Sequence, residues 1–175
     1  EKTIIFPFTE EFLNMPEYLK WLNDYEVVKS LNKHEYLSGV TSKEIKKYFQ
    51  NIKNSKSDLL WAICLRKNHK FIGTIKVGSI NNFSRTCDIG IMIGDKTEWG
   101  KGYAQDSLKV VCNYLFQKLL IRKLNSGTMS INQPMIKTFL NLGFKKEGLF
   151  RNQDKFEDNY CDHIYFGCFE NEFKF

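Results

Sequence analysis

Six residues, Trp99-Gly100-Lys101-Gly102-Tyr103-Ala104, constrain this chain more than any others. They follow an apolar stretch, Cys87 to Ile93 (CDIGIMI), that reads as a strand, and they lead into a helical pattern over Gly100 to Leu119. Strand, glycine turn and helix in close succession predict an α/β chain. Gly100 and Gly102 let the backbone turn tightly and approach a ligand closely. The free N–H groups of the first helical turn then converge on one spot and, with the helix dipole, make an anion site suited to a pyrophosphate. Lys101 adds positive charge at its edge. Two glycines alone also fit an ordinary strand-to-helix turn. Neither Gly-x-x-x-x-Gly-Lys-Ser/Thr nor Gly-x-Gly-x-x-Gly occurs, which disfavours the two best-known nucleotide loops.

The rest of the chain supplies alternating elements. Thr3 to Phe8 reads as a first strand, and Met15 to Leu31 as two short helices joined near Asp24. Thr41-Ser42-Lys43-Glu44 has capping-box form and opens a helix with Ile45, Tyr48, Phe49 and Ile52 at helical spacing. Leu59 to Arg66 and Lys70 to Val77 read as adjacent strands with a turn at Lys67-Asn68-His69. Arg122 to Met129 reads as a strand. Asn132 to Leu142 reads as a helix, with Asn132 as N-cap, Pro134 in the first turn and Gly143 as the stop. Lys145 to Leu149 and His163 to Phe169 read as two final strands. No repeat or linker divides the sequence, so residues 1–175 are expected to form a single domain with helices on both faces of a sheet.

Composition excludes several classes. No apolar run approaches the ~20 residues of a membrane span. The start shows no signal-peptide core, so a cytoplasmic address is expected, and the absence of an initiator Met leaves room for residues ahead of Glu1. The 5 cysteines form no Cys-x-x-Cys pair, and His34, His69 and His163 have no metal-like spacing, so neither a disulfide framework nor a metal site is expected. Cys64 and Cys112 read as packing residues. The net charge of +6 is spread over scattered lysines with no nucleic-acid signature. A solvated lysine-rich surface and a polyphosphate ligand explain it equally well.

The glycine turn resembles the acetyl-CoA loop of the GNAT superfamily, Gln/Arg-x-x-Gly-x-Gly/Ala, with Trp99 departing at the first position. Leu142-Gly143-Phe144-Lys145-Lys146-Glu147-Gly148 resembles the "LGF-x-x-EG" segment of the branch that contains ribosomal-protein N-terminal acetyltransferases. Trp21-Leu22-Asn23-Asp24 resembles that branch's "W-x-N-D", and Arg151 and Asp162 match its closing arginine and aspartate. The likeness spans nearly the whole chain. It implies a mixed central sheet splayed open in its middle. It also implies acetyl-CoA as cofactor, with the pyrophosphate on Gly100, Lys101, Gly102, Tyr103, Ala104 and Gln105. The pantetheine arm would lie along Ile91, Met92 and Ile93, and Asn132 would reach the cofactor unless its N-cap role explains it. The implied reaction is acetyl transfer to a primary amine by direct attack on the thioester. The acceptor would be a small molecule, such as a nucleotide-linked amino sugar, or a protein N-terminus. No nucleic acid or membrane is implied as partner, and a homodimer accords with the relatives.

For the chemistry, Asp88 is the candidate base, set against a strand-end aspartate facing solvent. A strand amide near Met92 is the candidate oxyanion donor. Many relatives place a tyrosine acid where this chain has Phe139, and the branch often has a serine where it has Met135, so the acid is unassigned; Tyr103 and Tyr160 are the remaining hydroxyls. Cys87 has no identifiable partner for covalent chemistry. Trp21, Asn23, Asp162 and the segment Asn32 to Tyr36 are candidate acceptor contacts. Trp21 is equally a core residue, Asn23 a helix cap, and Asp162 a partner for Arg151. The competing function is a coenzyme A-binding module of the same fold without catalysis. A basic nucleic-acid-binding protein, resting on charge alone, is a weaker third reading.

Overall fold

The computed structural model describes residues 1–31 and 34–175. Seven strands form one sheet in the order β1-β2-β3-β4-β5-β7-β6. Strand β1 (Thr3–Pro7) is followed by four short helices, α1 (Glu10–Leu13), α2 (Pro16–Leu22), α3 (Tyr25–Val28) and α4 (His34–Leu37), and by the longer α5 (Ser42–Asn54). Then come β2 (Leu59–Leu65), β3 (Phe71–Asn81), β4 (Thr86–Ile93), α6 (Tyr103–Gln117), β5 (Lys123–Met129), α7 (Gln133–Asn141), β6 (Lys145–Phe156) and β7 (Asn159–Phe169). Asn32 and Lys33, part of one candidate acceptor segment, lie outside the described residues.

Local signals explain most of these boundaries. The capping box is formed: Thr41 Oγ1 accepts from the Glu44 amide at 3.3 Å, and Glu44 Oε2 accepts from the Thr41 amide at 2.7 Å. Asp24 separates α2 from α3 and caps the latter by accepting from the Glu26 amide at 3.0 Å. Helix α6 starts three residues later than the pattern predicts. Gly100 and Gly102 sit at φ +74° and +82°, outside the helical region, so the helix cannot begin before Tyr103. Strands β6 and β7 run far beyond their predicted ends. Their distal half is polar and β6 is an edge strand, so backbone pairing rather than apolar alternation holds the hairpin together.

Two apolar layers clamp the sheet. On one face α6 and α7 bury Leu108, Val111, Leu115, Ile136 and Phe139 against Ile75, Val77, Leu124 and Phe166. On the other, an aromatic cluster of Phe8, Tyr18, Trp21, Phe49 and Phe71 packs the N-terminal helices down. Phe71 lies 4.9 Å from Trp21 and 6.2 Å from Phe8, ring centre to ring centre. Cys64 and Cys112 are buried in these layers as packing residues.

The parallel pair β4–β5 is the feature that positions a site. Only Thr86↔Lys123, Cys87↔Leu124 and Asp88↔Asn125 pair, although both strands continue for several residues. Beyond Asp88 the sheet splays open. Ser126 closes the crotch of the opening, where its hydroxyl donates to the Ile89 carbonyl at 2.7 Å.

Candidate active site

The glycine turn stands at the mouth of the opening. Gly102 is the N-cap of α6 in a left-handed conformation, and the first helical hydrogen bond runs from the Asp106 amide to its carbonyl at 3.1 Å. Among the described residues, the amides of Gly100 through Gln105 have no hydrogen-bond acceptor. A Cβ on Gly100 would meet nothing within 4 Å, so the turn faces open space. These orphan donors are what a diphosphate needs. Lys101 is not a free cation here: its ammonium pairs with Glu98 at 2.8 Å, and Lys70 reaches the same carboxylate at 3.4 Å and Asp95 at 2.6 Å. The Trp99 indole N–H donates to the Ile93 carbonyl at 2.7 Å, so this departure from the loop pattern ties the turn to the end of β4. Sequence reasoning missed Lys2, whose ammonium donates to the Lys101 carbonyl at 3.1 Å and so stands beside the same turn. Only the fold brings residue 2 there, through Asp106, which accepts from the amides of Lys2 and Thr3 at 2.9 Å each and from the Thr3 hydroxyl at 2.7 Å.

A cavity of about 1010 Å³ runs from this turn into the opening, past Ile91, Met92 and Ile93 on β4 and Asn132, Met135 and Thr138 at α7. Tyr103, Ala104 and Gln105 also line it. The Ile89 carbonyl points towards β5, and the β3–β4 register is unbroken from Asp88 to Ile93. Alternation therefore aims the backbone groups of Ile91 and Ile93 into the opening too. Met92 is different. Its carbonyl lies against Gly73, and the Gly94 amide donates to Ile72 at 2.9 Å, so this phase of β4 faces β3. The Met92 amide, the expected oxyanion donor, therefore faces β3 and not the opening, and Met92 contributes a side chain to the cavity wall.

The opposite face of the sheet carries Asp88, paired with Asn125 at the base of the opening and exposed. Gly90 follows on that face with nothing within 4 Å of a built Cβ. On the far side, Gly127, Met129, His163 and Tyr165 share it. His163 Nδ1 lies 2.6 Å from Asp154 Oδ2, and the two side chains are 12% and 3% exposed. Phe150 and Tyr165 pack as tilted rings with centres 4.9 Å apart, and His163 and Tyr165 likewise at 4.7 Å. This pair escaped sequence reading because Asp154 and His163 meet only through a bulged hairpin register.

Other candidates resolve into structural duties. Trp21 is buried, with its ring where a Cβ on Gly94 would fall, so packing occupies it rather than an acceptor. Asn23 clips two loops together: its Nδ2 donates to Leu19 and Val40 carbonyls at 2.9 and 3.0 Å, and its Oδ1 accepts from the Val40 amide at 2.8 Å. Asp162 Oδ1 accepts from the Asn152 amide at 2.9 Å and holds the β6 bulge; among the described residues it forms no ion pair with Arg151. Asn132 caps α7, accepting from the Met135 amide at 3.3 Å, and also lines the cavity. Phe139 is buried against Phe144 and Phe166, and no proton can come from it. Burial pushes the Cys87 thiol up to about 12, which leaves it a non-nucleophilic packing group. Tyr160, at the exposed end of the hairpin, is 65% exposed. Among the described residues no group of three or more His, Cys, Asp or Glu could hold a metal ion, and no helix is long and apolar enough to cross a membrane.

Comparison with known proteins gives the context. A family model described as "Acetyltransferase (GNAT) domain" matches residues 2–145. An uncharacterized N-acetyltransferase, p20, of Bacillus licheniformis is 23% identical over 154 residues, 88% of this chain and 86% of that protein. A probable N-acetyltransferase, YjcK, of Bacillus subtilis is 28% identical over 104 residues, 59% of this chain and 57% of that protein. Among solved structures, a spermidine N-acetyltransferase from Vibrio cholerae in complex with CoA and spermine superposes with a TM-score of 0.87 at 16% identity, over 98% of this chain and 97% of that one. At this identity the likeness is one of fold.

Proposed function

We propose, from the premise that this chain belongs to the acetyltransferase (GNAT) domain family, that residues 1–175 form one acetyl-CoA-dependent N-acetyltransferase domain acting on a primary amine. That it is an acyltransferase follows from the family; the donor and the acceptor are our reading. The observation that carries it is the junction of unpartnered amides at Gly100 to Gln105 with a splayed strand pair in one continuous cavity. A diphosphate with a long amide-bearing arm matches both halves of that junction. The amides of the turn, with Lys2 at its edge, hold the diphosphate, while Lys101 stays paired with Glu98. The backbone groups of Ile91 and the amide of Ile93, whose carbonyl already accepts from Trp99, complete their hydrogen bonds with the arm, and Asn132 meets it from α7. When bound, acetyl-CoA supplies an acetyl group activated as a thioester.

The acceptor approaches from the other face of the opening. Asp88 stands at its base as an exposed carboxylate and draws the acceptor ammonium to the crotch. Neither the Ile91 nor the Ile93 amide belongs to a β4–β5 pair, so either is free to donate to the carbonyl oxygen as negative charge develops on it. Small-molecule amines are favoured acceptors, since the opening is walled by the β6–β7 hairpin. The Vibrio cholerae neighbour's complex with spermine is the reason to include polyamines beside amino sugars in the acceptor panel. A protein N-terminus stays in the panel.

The test joins cofactor binding to turnover. Acetyl-CoA is expected to raise the unfolding temperature, and thiol release is expected with at least one amine among polyamines, nucleotide-linked amino sugars and peptide N-termini. Stabilisation without transfer to any of these would favour a binding module; no stabilisation at all would refute the reading.

A further inference from the structure

Removing protons from the acceptor is a task that Asp88 alone performs poorly. A primary amine is mostly protonated near neutrality, and an efficient base has a proton affinity close to the operating pH, which favours imidazole over a solvated carboxylate. We propose that His163, oriented by Asp154, is the proton acceptor of the transfer reaction. This rests on the reading of the opening as the acetyl-transfer site.

The geometry assigns the role atom by atom. An ionised Asp154 is acceptor-only, so Nδ1 of His163 carries the hydrogen across the 2.6 Å contact. Nε2 is then left with its lone pair. That atom lies over Gly127, only 2.4 Å from where a Cβ would stand, so a side chain there would displace it. Gly127 is the second residue beyond Asn125, where β4 and β5 last pair. Across the gap, Gly90 on β4 faces open space, with nothing within 4 Å of a built Cβ. Nε2 therefore looks onto the acceptor face of the opening, within ~7 Å of its base at two residues of strand. The surrounding elements leave it few rivals. Asp154 and Phe150 face it from β6, Cys161 and Tyr165 from β7, Gly127 and Met129 from β5, and Asp88 from β4 across the gap.

In the step proposed, the ammonium first gives one proton to solvent through Asp88. The amine lone pair then forms the N–C bond with the acetyl carbonyl carbon, and the second amine proton passes to His163 Nε2, directly or through one water. The C–S electron pair leaves on sulfur. The imidazolium returns its proton to the thiolate, giving the acetamide, free thiol and neutral His163.

The experiment compares wild type, H163Q and D154N with the fastest amine of the acceptor panel. H163Q is expected to lower kcat/KM about 10²-fold and to abolish the acidic limb of the pH–rate profile. Its acetyl-CoA affinity and unfolding temperature should stay near wild type. D154N keeps the imidazole but removes the acceptor that fixes the Nδ1–H tautomer, so kcat is expected to fall ~10-fold. In H163A, added imidazole should restore part of the rate, which a merely structural role would not allow. Long-range proton–nitrogen NMR of wild type is expected to show the Nδ1–H tautomer at His163, a readout independent of turnover and of whether the variants fold. Wild-type rates and pH profile in H163Q, or an Nε2–H tautomer, would overturn the assignment while leaving the acetyltransferase reading intact. A wild-type chain that fails to bind acetyl-CoA would overturn both.

Discussion

Gly102→Val tests the diphosphate cradle without touching the core. The residue sits at φ +82°, and a Cβ built there meets only the Lys2 ammonium, at 3.6 Å on a flexible arm. Packing therefore adds little, and the folding cost is the left-handed strain of a non-glycine residue, about 1–2 kcal/mol. Binding suffers more. The branched side chain stands over the amides of Gly102 and Tyr103, which have no other acceptor among the described residues. Hydrogen bonds to a charged group contribute about 1.5–3 kcal/mol each. Losing two at the lower figure weakens binding by ~3 kcal/mol, or ~10²-fold in Kd. Gly102→Asn is the control, because asparagine tolerates the left-handed region and should recover most of the stability while keeping part of the binding defect. Isothermal titration with acetyl-CoA and thermal unfolding, run on both variants, separate the two effects. A Gly102→Val protein that binds acetyl-CoA within twofold of wild type would refute the placement of the diphosphate on this turn.

Three further perturbations probe the supports. Gly94→Ala forces a methyl to 2.1 Å from Trp21 Cδ2 in a buried site, so denaturant unfolding should show a loss of about 1–3 kcal/mol; an unchanged midpoint would mean the Trp21 packing is wrong. Asp106→Asn removes a carboxylate whose titration burial alone would raise, but which hydrogen bonds from Thr3 and Lys2 hold below its ordinary range. A depressed carboxylate contributes stability above its unfolded value that vanishes as pH falls through the folded one, so the variant should be less stable than wild type near neutrality and converge with it in acid. Parallel stability curves down to low pH would contradict that. Asp88→Asn should raise KM for the amine about tenfold, one charge-assisted contact, with acetyl-CoA affinity unchanged; normal amine kinetics would clear Asp88 of any role.

The fold was legible where periodicity and end signals agree. The capping box at Thr41 and the Asn132–Gly143 frame mark helices through chemistry local to a few residues, so no tertiary knowledge was needed. The β6–β7 hairpin was half hidden because its distal half is polar on both faces. Nothing in Arg151 to Asp158 alternates, and the pairing that makes it a strand is carried by main-chain groups that every sequence possesses. The splay between β4 and β5 was expected only from family resemblance, since pairing that stops after three residues leaves no mark in either strand.

The site divides along the same line. Its cofactor half lies in one contiguous stretch, because a helix N-terminus presents successive amides by its own geometry, and glycines in the left-handed region are the trace of that demand. The proposed acceptor half is assembled from strands far apart in the chain: Asp88, Gly127, Asp154 and His163 come to one face only after the register of four strands is set. Resemblance drew attention to Trp21, Asn23 and Asp162, whose side chains the folded chain uses for packing and for clamping loops. For the proposed proton acceptor the sequence trace is Gly127. An exposed glycine in a strand is unfavourable unless another group needs the space, and here an imidazole ring fills it. Gly127→Ala thus becomes a probe of the acceptor half: it should displace the ring and lower turnover towards that of H163Q, with the cofactor turn and the acetyl-CoA affinity untouched.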